Sequence, residues 1–565
     1  MSSSRGFSLV DVVVGIALMI VMFLSLFGLL KASLILSTLG RAKAGATAVA
    51  QTHMEYLRGL SYASLGTVGG IPTGSVPQFA TTTQNGIVYV AHTFINYIDD
   101  PADGVGSSDT NGIVTDYKRA AITVTYAISG QSKSIDLVSN FSPPGLETAT
   151  NGGTLIIKVE NAVGTPIADA SVTITNTALS PAVNITTSSN IDGIVSLPGA
   201  AVSSSYQVSV SKSGYSSAQT YARDSTNQNP NPGYLTISLN QTTTGTFPID
   251  LLATFSLATF SPIATSTFTD TFVDDSKLAN MSSTTVSDGV LILATAAEIQ
   301  GSARSVATTP DLLVSWGVLA ATTTAPSDSS VLLHMYDGAG NLIPDSTLPG
   351  NVIGFSTFPI SLSQIATSTY PSLAIGASLL ASGAIPSITE WSLSYSAGPT
   401  PLPNIPFTLT GAKTIGSTGG GNPIYKTIVN DTTGESASAT RTLEWDQYTP
   451  TISGYNIVDA CPSPPFVVAP ESVSSASLIL STATTHSLRV LVSDNTGAPV
   501  SEASVTLSRT GYSKTNSSSS CGNAYFGAIT NANDYTVRIS KTGYTTTTFA
   551  NVQISGASTY GATFP

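Results

Sequence analysis

Residues 490–507 read VLVSDNTGAPVSEASVTL, and residues 156–174 read IIKVENAVGTPIADASVTI; the two stretches align without a gap. Each predicts a strand that ends in a Gly turn (Gly164, Gly497). Pro166 or Pro499 then limits the next segment, and Ala-Ser-Val-Thr opens a second strand from Ala170 or Ala503. A second shared block follows in both, Tyr206–Tyr215 (YQVSVSKSGY) and Tyr535–Tyr544 (YTVRISKTGY). It alternates with period two, so Tyr206, Val208 and Val210 share one face of a strand. Gly214 and Gly543 stand where a turn calls for positive φ, which glycine adopts without steric cost. Self-similarity of this kind is the mark of repeated domains.

A weaker third copy starts at Phe407 (FTLTGAKTI) and ends in Glu444–Tyr455, EWDQYTPTISGY, with the same Tyr…Gly-Tyr closure. The three stretches, 153–250, 404–482 and 486–565, resemble carboxypeptidase regulatory-like domains, which have a prealbumin-like β-sandwich fold. The resemblance implies an accessory role, as spacer or binding module rather than catalyst. Related surface sandwiches form Lys–Asn isopeptide bonds. Lys158 is the residue to test, although Leu491 stands in its place in the later copy and no paired Asn with a buried acid is evident.

Residues 254–400 have a different pattern. Phe268–Phe272 (FTDTF), Ser287–Leu293 and Ser372–Leu380 lead to Ile388–Tyr395, ITEWSLSY, in which Trp391, Leu393 and Tyr395 share one face. A jelly-roll sandwich of the kind common in lectin-like and carbohydrate-binding modules is expected. The aromatic face has two readings, a glycan platform or ordinary core packing.

Composition bounds the rest. A chain of 565 residues exceeds one core and predicts several domains. Charged residues are only 10%, but 41% of residues are apolar and fall in short alternating runs, so folded β-domains are expected rather than disorder. The net charge of −12 and the lack of a Lys/Arg cluster exclude a nucleic-acid-binding face. Four scattered histidines (His53, His92, His334, His486) without HExxH argue against metal-dependent hydrolysis and a Ser-His-Asp triad; a carboxylate pair stays open, as in a glycosidase with accessory sandwiches. Cys461 and Cys521 lack zinc-site or CxxC spacing. Outside a cell they either bridge adjacent sandwiches as a disulfide or stay as two buried thiols.

The N-terminus, MSSSRGFSLVDVVVGIALMIVMFLSLFGLLK, carries no charge from Val12 to Leu30, and the apolar run continues beyond Lys31 to Leu39. About 20 apolar residues span a bilayer core of about 30 Å. The helical pattern persists to about Leu60, with Val49, Met54, Tyr56, Leu57 and Leu60 placed to pack on a partner. A secretory signal peptide has a shorter apolar core with its cleavage site after it; here the suggestive feature precedes the run. Arg5–Asp11 (RGFSLVD) resembles the cleavage and methylation motif of type IV prepilins and pseudopilins. The resemblance implies a leader of residues 1–6, cutting between Gly6 and Phe7 by prepilin peptidase, and N-methylation of Phe7. Asp11 would hold the acidic position that pairs with a neighbouring subunit's N-terminal amine in assembly. The family usually has Glu there, one methylene longer, so the reach of Asp11 toward that amine is shorter.

Residues 7–145 then form a pilin-like domain: a transmembrane helix over 7–39 continuing to about residue 60, a loop over 60–86, and a small sheet from Ile87–Tyr97, Ala120–Ile128 and Ser132–Leu137. Between the first two strands lies the densest acidic stretch of the chain, with Asp100, Asp103, Asp109, Asn111 and Asp116. It has two readings: a solvated turn in which Asp and Asn cap the backbone, or a wrap around one calcium ion, which takes six to eight oxygen ligands. Its spacing is not that of an EF-hand.

The expected fold class is mainly β with one long N-terminal helix followed by a string of β-sandwiches. The expected role is that of a non-enzymatic minor pilin or pseudopilin-like subunit of a type IV pilus or type II secretion-like filament. The helix would lie in the cytoplasmic membrane and later among other pilin subunits, and the sandwiches outside would meet a surface glycan or protein ligand. The alternatives are an uncleaved, single-pass anchored surface protein and an extracellular carbohydrate-binding or glycosidase-associated protein. They part at the N-terminal processing and at a catalytic acid pair.

Overall fold

A computed structural model describes residues 9–104, 112–128, 130–144, 150–326 and 328–565. The chain is mainly β with one long helix at its N-terminus, and it divides into two compact units. The first comprises residues up to Leu252 together with Lys413–Lys426; the second comprises Ala253–Ala412 and Thr427–Pro565.

In the first unit the helix runs Leu9–Arg58 without a proline and ends at Gly59. Beyond it a four-stranded antiparallel meander forms from Phe79–Gln84, Ile87–Ile98, Tyr117–Ile128 and Gln131–Phe141. Phe79–Gln84 falls inside the expected loop. Its signal was local: Asn85-Gly86 closes the hairpin with φ of 52° and 76°, the left-handed pair that a two-residue turn requires. Ala91, Ile95, Ala120, Ile122 and Val124 form the inner face of this sheet.

The first sandwich follows. In one sheet Gly152–Glu160 lies between Ile194–Ala201, antiparallel, and Thr242–Pro248, parallel. The facing sheet orders Ala218–Gln219, Ser203–Ser211, Ser171–Asn176 and Val183–Ser188. Leu155, Ile157, Val172, Ile174, Tyr206 and Val208 fill the space between. Residues 413–426 join this unit because Thr414–Ser417 pairs with Asn229–Pro230 and with Pro423–Tyr425.

The second unit redraws two expected boundaries. The sandwich expected over 404–482 begins at Ala253. Strand Ala253–Ser261 pairs parallel with Val473–Thr482 and antiparallel with Ser438–Leu443. Its alternate residues Ala253, Phe255 and Leu257 sit in one core with Phe407, Leu409 and Tyr448. Phe407 therefore lies on the second strand of this sandwich, not the first. The jelly-roll module is an insertion between Ser261 and Thr400, whose strands meet side by side (Phe260 opposite Pro401, Ser261 opposite Thr400).

The inserted module stacks a sheet of Leu278–Ser282, Gln300–Ser305, Leu373–Leu380 and Ser330–Asp337 on a second sheet centred on Ser387–Ala397. Phe272, Trp316, Trp391 and Leu393 are fully buried between them, and Phe272 meets Trp391 edge-on at 5.0 Å.

The last sandwich repeats the first. Ser487–Ser493 lies between Asn523–Gly527, antiparallel, and Ala557–Thr563, parallel; the facing sheet orders Tyr512–Ser517, Ser504–Arg509, Ala532–Ser540 and Thr547–Ile554. The polar joints also repeat. Asn161 accepts from the N–H groups of Val163 and Thr165, as Asp494 does from Thr496 and Ala498. Ser189 accepts from Ala170 N and donates to Ile167 O, as Ser518 does with Ala503 and Val500. Lys212 donates to Ala168 O and Lys541 to Ser501 O. The shared tyrosine closes each sandwich: Tyr206, Tyr448 and Tyr535 donate to the carbonyls of Ala201, Glu444 and Thr530 at 2.9, 3.0 and 3.1 Å. The φ values of the closing glycines Gly214, Gly454 and Gly543 are 79°, 80° and 89°.

Candidate functional site

The helix has two halves with opposite surroundings. From Val13 to Leu36 its large apolar side chains stand exposed, and the segment is long and apolar enough to cross a membrane. From Ala42 on, one face enters the core of the small sheet through Ala42, Ala46, Val49, Ala50, Met54 and Leu57. Burying Met54 and Leu57 contributes about 1.5–3 kcal/mol each. The approach is close because of small residues. Tyr89 donates to Ala42 O at 3.1 Å, and a Cβ at Gly45 would stand 2.4 Å from the Tyr89 hydroxyl.

Lys118 secures the chain as it leaves the helix. The residue is 2% exposed, and its ammonium donates to the carbonyls of Tyr62 and Leu65, each at 2.7 Å. It also lies 4.6 Å from the centre of the Tyr62 ring and 5.4 Å from that of Tyr97. Burial lowers its pKa to about 8, because the charged form loses water that carbonyl dipoles only partly replace.

Gly6 and Phe7 lie outside the described residues. Asp11 falls in the helix Leu9–Arg58, and its side chain is likewise outside the description. Of the acidic stretch, Asp109 and Asn111 are outside the described residues. Asp116 accepts from the N–H of Asp100, and Asp100 accepts from Ala102 N at 3.1 Å. Both carboxylates thus turn onto backbone N–H groups, the arrangement of a capped turn. Among the described residues no group of three or more His, Cys, Asp or Glu converges on one point.

Cys461 and Cys521 are joined as a disulfide with Cα atoms 5.5 Å apart. The same face carries Asn523 donating to Ala460 O at 3.1 Å, Ser519 donating to Asp459 at 2.9 Å and Asn456 donating to the Tyr525 hydroxyl at 2.9 Å. Trp391 and Leu393 are at 0% exposure and Tyr395 packs edge-on to Trp316 at 6.1 Å, so this aromatic face is core rather than a sugar platform. Lys158 is exposed.

Residues 487–565 match the family described as carboxypeptidase regulatory-like domain. No curated protein matches the sequence significantly. Among solved structures, the chain is similar to the TIE protein of Bacillus anthracis, with 11% identity, 86% of this chain and 74% of that one covered, and a TM-score of 0.15. BcpA, the major pilin subunit of Bacillus cereus, gives 8% identity, 73% and 99% coverage and a TM-score of 0.13. The shaft pilin SpaA from Lactobacillus rhamnosus GG gives 13% identity (in a double mutant), 30% and 87% coverage and a TM-score of 0.11. Likenesses this faint carry no weight for function.

Two further residues stand out in the structure. Lys118 carries no local signal, since its acceptors are backbone carbonyls of a loop far back in the chain. Arg489 does leave one: it stands where the first copy has the apolar Ile156.

Proposed function

We propose that this chain is a minor pilin or pseudopilin-like subunit that displays β-sandwich modules outside the cell. The observation that carries the proposal is the two-part helix. Its apolar N-terminal half is exposed to its surroundings, while its C-terminal half is the spine of a small folded domain. A helix that only anchors has no need to continue unbroken into a domain core. A helix that must leave the bilayer and pack among neighbours gains from a rigid continuation that fixes its direction. Exposed apolar surface of this extent demands lipid or partner helices.

In this reading, prepilin peptidase cuts between Gly6 and Phe7 and the Phe7 amine is methylated. Asp11 then offers its carboxylate to a neighbour's amine once the helix is in the filament. A carboxylate in lipid is costly when alone and tolerable when paired. The bulk of the displayed modules opposes dense packing, which favours a tip or minor position. The sandwiches serve contact rather than catalysis.

The test is the N-terminal mass of the mature protein from membranes and from sheared surface material. N-methyl-Phe7 as first residue, present in the sheared fraction, is expected. An intact Met1 or Ser2 start found only in membranes would sink the proposal in favour of a plain anchored display protein.

A further inference from the structure

Arg489 sits on the outer face of the last sandwich, not in its core. Leu488, Val490 and Val492 of its strand point inward, and Ser487 and Arg489 point the other way. That outer face is covered by strand Tyr455–Cys461 of the preceding sandwich, and Arg489 is left 8% exposed. Its Nη1 is closed off from solvent and has no hydrogen-bond partner. Asp459 is near enough for its charge to favour the charged form of Arg489, but the two do not come within ion-pair distance. Among the described residues the guanidinium forms no ion pair.

A buried charge that is neither hydrogen-bonded at Nη1 nor within ion-pair distance of its nearest opposite charge is expensive, and such groups are normally paired or hydrogen-bonded. The fold does not require one here. The first sandwich is built on the same strands, and across its corresponding sheet Ile156 lies between Ser196 and Thr244. In the last sandwich Arg489 lies between Tyr525 and Thr559. The three-residue row has changed from apolar and small to cationic and aromatic, while the inward face is unchanged in kind.

Arg489 lines a pocket of about 360 Å³, within the range of about 300–1,000 Å³ usual for small-ligand sites. The other polar lining is uncharged and rich in hydroxyls: Thr451, Asn456, Ser487, Tyr525, Ser558 and Thr559 among them. A guanidinium matches a carboxylate through two parallel N–H···O bonds, and the surrounding hydroxyls suit a neutral polyhydroxylated body.

We propose that the Arg489 pocket binds the carboxylate of an acidic saccharide, with a uronic acid residue as the recognised unit. The proposal deepens the surface-display reading and rests on it for its biological meaning. Its test is independent of N-terminal processing, because it uses the purified full chain in detergent micelles.

Titration calorimetry with trigalacturonate is expected to give saturable 1:1 binding, and a neutral methyl galactoside none. Arg489→Met should weaken galacturonate binding about tenfold or more, the usual scale for losing a hydrogen-bonded charge. Arg489→Lys should fall between, since it keeps the charge and loses the fork. The melting temperature of Arg489→Met, measured alongside, should be equal to or above that of the parent chain. Unchanged galacturonate affinity in Arg489→Met would overturn the proposal, as would absence of saturable binding in the parent. Binding of an acidic peptide in place of the saccharide would also overturn it. A marked fall in the melting temperature of Arg489→Met, with no galacturonate binding by the parent, would make Arg489 a structural cation between the two sandwiches.

Discussion

The first and last sandwiches are one design used twice, and they differ where it matters for contact. Both keep the same strand order, the same parallel pairing of first and last strands, and the same four polar joints at Asn161/Asp494, Ser189/Ser518, Lys212/Lys541 and Tyr206/Tyr535. The Ser, Lys and Tyr joints satisfy buried or half-buried backbone groups, and the Asn161/Asp494 joint caps an exposed turn, so all four belong to the fold itself. The outer face of the three-stranded sheet is under no such demand. There the last copy exchanges Ile156 for Arg489 and Ser196 for Tyr525, and adds Cys521 at the end of the same face.

The largest difference between the two copies is the disulfide, which only the last one has. Cys521→Ser should lower the stability of that sandwich by about 2–4 kcal/mol, read as an earlier guanidinium transition, while leaving the first sandwich unmoved. Denatured, unreduced protein should show no free thiol; two would refute the bridge.

The shared joints should give matched losses. Ser189→Ala and Ser518→Ala each strip a backbone N–H and a carbonyl of their partner, at a cost of about 1–3 kcal/mol. Tyr206→Phe and Tyr535→Phe each lose one hydroxyl bond and should cost about 0.5–1.5 kcal/mol. A joint that costs several kcal/mol in one copy and nothing in the other would show that the likeness is geometric only.

A pH-dependent effect lies in the helix seat, outside both copies. Burial holds the pKa of Lys118 at about 8 in the folded chain, below the ordinary lysine value of 10.5. Between these values the unfolded chain binds more protons, so stability should rise as pH climbs from about 8 toward 10 and fall away again as pH drops through 8. Lys118→Met should flatten that slope in thermal melts taken across the range.

Much of this architecture was written in local pattern. The period-two runs around Tyr206 and Tyr535, the glycines that close them and the unbroken apolar helix all report on neighbours in sequence. What escaped was non-local. Ala253–Ser261 alternates like any strand, but its partners lie at 438–443 and 473–479, so nothing near it tells which sandwich it completes. The hairpin strand Phe79–Gln84 is legible from Asn85-Gly86, although its Thr-rich composition reads as a loop. Gly6 and Phe7 lie outside the described residues, and in the proposed reading they are a motif for an enzyme, a role that a fold does not record.

The parallel pairing of first and last strands has a mechanical consequence. In each of the three sandwiches built this way, tension applied through the chain enters at one end of the pair and leaves at the other. The backbone bonds between those strands are then loaded together, in shear, rather than peeled open one after another. The inserted module is attached differently, because its two connections leave from the adjacent positions Ser261 and Thr400. A pull along the chain passes it by, so it hangs as an unloaded side branch. A display protein under drag would carry force through its sandwiches and spare the module inserted in one of them.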